Sequence, residues 1–240
     1  MKKTFAIIPA RSGSKGVKDK NIKNLHGHSL LEWSIKAAQN AKLIDRIFIS
    51  TDSEEYARIG KECGVEVPFL RPKNISGDTS SDLEFVLHAI SEFKKLNDCP
   101  DYIAHIRPTT PIRDPDLIDE AISLFKKNKE FHSLRSVHIM SESSYKTLEI
   151  NNGILTPLSL FNNNEFDANA PRQSFPDTYQ ANGYIDILST SFVLENNQIH
   201  GKKILPFITN TAYEVDSMED FDYLEYLASN SQDIIGKLFN

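Results

Sequence analysis

The chain has little cysteine, no long apolar run and no excess of basic charge, and each shortage removes a class of protein. Its two cysteines, Cys63 and Cys99, make no CxxC pair, which argues against a disulfide framework or a cysteine zinc site and fits a reducing, cytoplasmic compartment. The apolar stretch over residues 4–8 is stopped by Pro9 and Arg11, far short of the roughly 20 apolar residues of a membrane span, so it reads as a buried first strand. Basic residues number 27 against 33 acidic, a formal net charge of −6, and neither general nucleic-acid binding nor membrane-surface binding is expected. His26, His28, His105, His132 and His138 are scattered without metal-ligand or triad spacing. There is no internal repeat and no low-complexity linker to divide the chain.

What is present is the patterning of an ordinary globular enzyme: 240 residues, 40% hydrophobic and 25% charged, enough for one sizeable core. Short apolar runs alternate with stretches of helical period. Strands are expected over residues 5–8, 47–49, 102–106 and 133–139, and again over 184–188 and 204–208. Between them lie helix starts with a physical signature. Ser29 with Glu32 and Ser81 with Glu84 form capping boxes, and Asp114 precedes Pro115 at a first helical position. Thr51-Asp52 closes the second strand and reads as a cap for the helix that begins near Ser53; Gly64 falls where that helix should stop. A final helix is expected over residues 217–227. Residues 140–180 break the pattern with polar, Asn-rich sequence and read as an inserted arm or hairpin. The expected fold is therefore one α/β domain over residues 1–240, a mostly parallel sheet with helices on both faces, whose ligands bind beyond the carboxyl ends of the strands.

The loop after the first strand, ARSGSKGVKDKN, lies at such an end. Gly13 and Gly16 let the backbone approach a phosphate, and Arg11, Lys15 and Lys20 supply positive charge. It matches neither the Walker A spacing nor GxGxxG. On residue chemistry alone, a polyphosphate cradle and a solvated basic loop are both open.

Further along stand STD at residues 50–52, RP at 71–72, RPTTPIR at 107–113, YK at 145–146, PRQ at 171–173, NG at 182–183 and EVD at 214–216. In this order and with IPARSGSKGVKDKN at the start, the chain resembles the acylneuraminate cytidylyltransferases (CMP-sialic acid synthetases). The resemblance implies a Rossmann-like nucleotide-diphosphate-sugar transferase fold, Mg2+ dependence, and a homodimer in which the arm reaches the partner's active site. It implies that Arg11, Ser14, Lys15 and Lys20 hold the triphosphate, with Lys20 near the α-phosphate, and that Asn21 contacts the base or ribose. It places Arg71 and the residue at position 82 at the base, Arg107 with Lys146, Arg172 and Gln173 at the sugar acid, and Glu214 and Asp216 on the metal. Arg11, Lys20 and Asp216 would carry the catalysis.

Three positions depart from the family pattern. Asp82 stands where the family has a small hydroxyl residue; its carboxylate can accept from the cytosine amine or from the two adjacent donors of guanine, so the pairing chemistry leaves GTP open. Arg107 stands where the family usually has Gln, a cation suited to an acidic or hydroxyl-rich sugar. Glu214 replaces Asp, a conservative exchange of oxygen ligands. The expected reaction joins CTP to a nine-carbon 2-keto sugar acid, sialic, legionaminic or similar, giving the CMP-sugar and pyrophosphate. A related nucleotidyltransferase using GTP or a sugar phosphate, and a non-catalytic nucleotide-binding module on the same fold, are the alternatives.

Overall fold

The structure is a computed structural model that describes residues 2–13, 16–158 and 169–239. Its first strand, β1 (Thr4–Pro9), is buried on both faces, which is why its sequence is continuously apolar rather than alternating. Phe5 and Ile7 pack toward one side with Phe48, Phe85 and Phe93, while Ala6 and Ile8 pack toward the other with Trp33, Ile35 and Ile118. Each such large side chain contributes about 1.5–3 kcal/mol when fully removed from water.

The central sheet has six strands. β1 pairs in parallel with β4 (Arg46–Ser50) on one side and β5 (Tyr102–His105) on the other. β9 (Tyr179–Ser189) runs antiparallel between β5 and β6 (Ser133–Ile139), and β10 (Ile204–Ile208) closes the edge parallel to β6. Two small hairpins stand apart from it, β2 (Asn24–Leu25) with β3 (His28–Ser29), and β7 (Leu148–Asn151) with β8 (Ile154–Pro157).

Helices cover both faces. α1 (Leu30–Asn40) and α4 (Pro115–Lys127) lie over the Ala6 side, α3 (Asp82–Lys95) over the Phe5 side. The caps that the sequence announces are formed. The Ser29 N–H donates to Glu32 at 2.6 Å and the Glu32 N–H to Ser29 Oγ at 3.2 Å; the Ser81 N–H donates to Glu84 at 2.6 Å; Asp114 accepts from the Asp116 N–H at 3.0 Å. α2 (Glu54–Glu62) is capped by Ser53 Oγ and leaves through Gly64 in the left-handed region, φ +78°.

Three features depart from the sequence expectation. α5 (Thr190–Asn196) follows β9 directly, β9 starts five residues before the apolar run that marked it, at an exposed end, and α6 (Met218–Ser229) is not the last helix. α7 (Gln232–Phe239) follows and folds back on α1, with Phe239 edge-on to Trp33 at 4.9 Å and stacked on His28 at 3.8 Å.

Candidate active site

Most of the cleft is built where β1, β4 and β5 end, with one segment added from between β10 and α6. After β1 the chain enters the glycine-bearing loop, which is fastened at several points. The Ser12 N–H and Oγ both donate to the Asp52 carboxylate, each at 2.8 Å. Asp52 is thus a clasp for this loop, while Ser53 caps α2 by itself, which corrects the expectation for the Thr51-Asp52 pair. Asn21 is buried and donates its amide to the Arg11 carbonyl at 3.0 Å, folding the loop back on its own start. Arg11 meets Asp78 at 2.9 Å. Lys20 Nζ donates to the Val215 carbonyl and stands 3.3 Å from Asp216. The Asp216 carbonyl lies so close to Gly16 that a Cβ there would overlap it, a physical reason for glycine at this point.

The opposite wall is built on two buried arginines. Arg71 lies against the Phe85 ring, its Cζ 4.7 Å from the centroid, and donates to Ser50 Oγ at 3.0 Å and to the Ser50 carbonyl at 2.6 Å. Burial pulls its pKa down to about 10 against the opposing pull of Asp52 and Asp82. Arg113 is fully buried and donates to backbone carbonyls: Tyr184 at 2.6 Å, Arg107 at 2.7 Å and Gly183 at 3.0 Å. Its desolvation lowers the pKa to about 9. Arg113 thereby ties the turn after β5 to β9, and Gly183 at φ +65° gives the room, since a Cβ there would come within 2.9 Å of Thr110 Oγ1.

Glu214 and Asp216 sit in the irregular stretch between β10 and α6. Between them Val215 is buried and donates its N–H to the Thr109 carbonyl at 2.8 Å, so the two carboxylates emerge on its open side. Glu214 accepts from Thr109 Oγ1 at 2.6 Å, and Asp216 is 80% exposed.

These elements enclose a cleft of about 360 Å³, lined among others by Arg11, Gly16, Lys20, Asn21, Arg71, Asp82, Arg107 and Asp216. Eight of the residues singled out in the sequence therefore converge on one cavity. Glu214 stands behind its rim through Thr109. Lys146, Arg172 and Gln173 do not reach it: they lie in short turns of the arm, where Arg172 donates to the Met140 carbonyl at 3.0 Å. Ser14 and Lys15 fall outside the described residues. Among the described residues no group of three or more His, Cys, Asp or Glu side chains could hold a metal. Glu214 and Asp216 offer carboxylate oxygens, the donor type that Mg2+ takes together with phosphate oxygens and water. Sequence reading took Asp52 for part of a helix cap and left Arg113 inside a motif without a role. Both act through partners distant in the chain, and only the parallel pairing of β1 with β4 could have pointed to the clasp at Asp52.

Comparison with known proteins places this geometry. A family model described as Cytidylyltransferase matches residues 5–235. Post-translational flagellin modification protein B of Campylobacter coli is 32% identical over 230 residues, 95% of each chain. A CMP-N,N'-diacetyllegionaminic acid synthase of Campylobacter jejuni is 31% identical over 232 residues, 95% of this chain and 96% of the relative. In fold, the chain is similar to a CMP:2-keto-3-deoxy-manno-octonic acid synthetase complexed with CTP, with a TM-score of 0.73 at 12% identity, covering 95% of this chain and 99% of that one. An α/β sheet with this cationic loop and cleft is that of a nucleotidyltransferase enzyme. The chain belongs to the cytidylyltransferase family.

Proposed function

We propose that this enzyme joins CTP to a nine-carbon 2-keto sugar acid of the sialic or legionaminic type, giving the CMP-sugar and pyrophosphate. The observation that carries the reading is the meeting of Arg11, Lys20, Asn21, Arg71, Asp82 and Asp216 in one cleft of a chain whose full-length relatives include a CMP-sugar acid synthase. The anomeric hydroxyl of the sugar attacks the α-phosphorus; an oxygen–phosphorus bond forms as the bond to the departing pyrophosphate breaks. Arg11, Lys20 and the loop amides near Gly13 and Gly16 neutralise charge along the triphosphate, with Lys20 nearest the reacting phosphorus. Arg71 and Asp82 face the base. Glu214 and Asp216 would hold Mg2+, which when bound supplies Lewis-acid stabilisation of the phosphate oxygens.

The arm supports a homodimer. On its hairpin Ile150 is 71% and Ile154 65% exposed, with Leu148 and Leu155 beside them, apolar surface of the kind that marks an interaction site. In a dimer Lys146, Arg172 and Gln173 would serve the partner's cleft, and Arg172 suits a bidentate grip on the sugar carboxylate. No described helix is long and apolar enough to cross a membrane, and Cys63 and Cys99 are free thiols, which favours a cytoplasmic setting. The test is pyrophosphate release from CTP, with and without Mg2+, across a panel of neuraminic, legionaminic, pseudaminic and deaminated 2-keto acids. Release with at least one of them supports the reading; release only with GTP or only with a sugar phosphate overturns it.

A further inference from the structure

Two positions that depart from the family pattern, Asp82 and Arg107, are in contact, and a third residue explains why. Arg107 follows the end of β5 and turns beneath Asp82, the first residue of α3. Its Nη2 donates to Asp82 at 2.6 Å and its Nη1 to Asp186 at 2.9 Å. Asp186 stands within the sheet on β9 and is 1% exposed. Its other oxygen is 3.7 Å from Arg135 Nε, and the rings of His105 and His200 lie 3.9 and 4.0 Å from the oxygen that Arg107 holds. Burial pushes the pKa of both histidines down, with His105 well below the ordinary value, so near neutral pH the two arginines supply the positive charge around Asp186.

A carboxylate this deep is strongly disfavoured unless charge and hydrogen bonds compensate it. Here the compensation fixes Arg107 in one orientation. Both outer nitrogens of Arg107 are engaged by carboxylates, so it is not a free cation awaiting a sugar acid. Asp82, 44% exposed, lines the cleft beside Arg107, which holds only one of its two carboxylate oxygens.

We propose that Asp186 is a positioning residue that, through Arg107, sets Asp82 as a hydrogen-bond acceptor selecting a base that presents an amine, cytosine, over one that presents a carbonyl, uracil. The proposal rests on the reading that the enzyme uses CTP with Asp82 at the base. A carboxylate accepts from the cytosine amine, whereas the uracil carbonyl would set acceptor against acceptor. With Asp186 neutralised, the guanidinium is released on one side and can close its fork on both oxygens of Asp82. The acceptor is then consumed, and the arginine presents N–H groups that uracil tolerates.

The experiment measures kcat and KM for CTP and UTP in the parent, Asp186→Asn, Arg107→Gln, the double variant and Asp82→Ala. Asp186→Asn is expected to lower the CTP-to-UTP ratio of kcat/KM about tenfold, the worth of one charge-assisted hydrogen bond, mostly through the KM for CTP. Asp82→Ala, a change on an exposed helix start, should lower the ratio similarly. In the Arg107→Gln background, Asp186→Asn should change the ratio no further, because its effect passes through Arg107. If Asp186→Asn does not fold, Asp186→Glu keeps the charge while displacing it and should lower the ratio in part. A folded Asp186 variant with an unchanged ratio, whatever its melting temperature, overturns the proposal, as does an unchanged ratio in Asp82→Ala. A parent that releases no pyrophosphate from CTP with any acceptor defeats the functional reading instead; CTP and UTP affinities by calorimetry in the same variants then still decide whether Asp186 positions a base reader.

Discussion

Removing the Asp52 carboxylate should chiefly loosen the phosphate loop, with Arg71 losing only a more distant electrostatic partner. Asp52 accepts two hydrogen bonds from Ser12, each 2.8 Å, and bonds to a charged acceptor contribute about 1.5–3 kcal/mol apiece in favourable settings. The site is only half-buried, so water recovers part of that, and a net loss of about 1–2 kcal/mol is expected for Asp52→Ala. The loss falls on the order of the segment that carries Arg11 and Gly13, and CTP must then order it on binding. With tenfold in affinity for each 1.4 kcal/mol, the KM for CTP should rise about 5–30-fold. Turnover at saturation should change less than about threefold, since Lys20 is held separately by the Val215 carbonyl. The melting temperature should fall by about 2–8 °C, as expected for a domain of this size. Asp52→Asn should be intermediate, because an amide keeps one acceptor and presents a donor to Ser12 Oγ. The assay is steady-state pyrophosphate release with CTP varied, alongside thermal unfolding. A lower melting temperature with an unchanged KM for CTP would refute the reasoning and return Asp52 to α2.

Lys20→Ala is expected to lower kcat by about 10²–10³-fold while the melting temperature stays close to that of the parent, because a cation beside a charge-developing phosphate acts in the transition state; kcat within threefold of the parent removes Lys20 from the reaction. His105 is fully buried with its pKa well below the usual value, chiefly through desolvation and then through Arg107 and Arg113. The unfolded chain therefore takes up a proton that the folded one resists: the contribution is complete above pH 6.5 and falls by about 1.4 kcal/mol per unit as the pH drops below it. Thermal unfolding between pH 5 and 7.5 should be less pH-dependent in His105→Gln than in the parent, and equal slopes would count against the assignment. Mixing inactive Lys20→Ala with inactive Arg172→Ala should restore part of the activity if the arm serves a partner's cleft, since a hybrid dimer has one intact site; no recovery after confirmed subunit exchange places Arg172 and Lys20 in one chain's site or leaves Arg172 without a role.

Local signals carried most of what could be read from the sequence. The capping boxes at Ser29 and Ser81, the Asp114-Pro115 start and the stop at Gly64 are contests settled within four residues, and each formed where its chemistry stood. Buried strands declared themselves by continuous apolar runs. The first residues of β9 did not, because they are largely exposed and are ordered by pairing with β6, for which no local residue is responsible. α7 was hidden by Gly236 and by a length of 8 residues; its packing on Trp33 holds it in place, not its propensity. In the cleft, residues that touch solvent were legible as cations and glycines in unusual company. Asp52, Asp186 and Arg113 were not, since each is an ordinary residue type whose meaning lies in a partner 40 to 79 positions away.

β9 is the one strand of the sheet that opposes its neighbours, and its reversal governs how such an enzyme can diversify. Running against β6, it starts beside the end of β6, at Tyr179 opposite Ile139. The chain between them therefore departs from and returns to the same rim as the cleft, and owes the sheet no crossover. In a fully parallel arrangement that interval would be committed to a helix spanning a face, with length and burial fixed by packing. Freed of that duty, it can lengthen, shorten or exchange side chains while the nucleotide half, pinned on β1, β4 and β5, stays unaltered. Under the proposed reading, in which the arm contacts the sugar acid, exchange of one acid acceptor for another would carry no cost to the core.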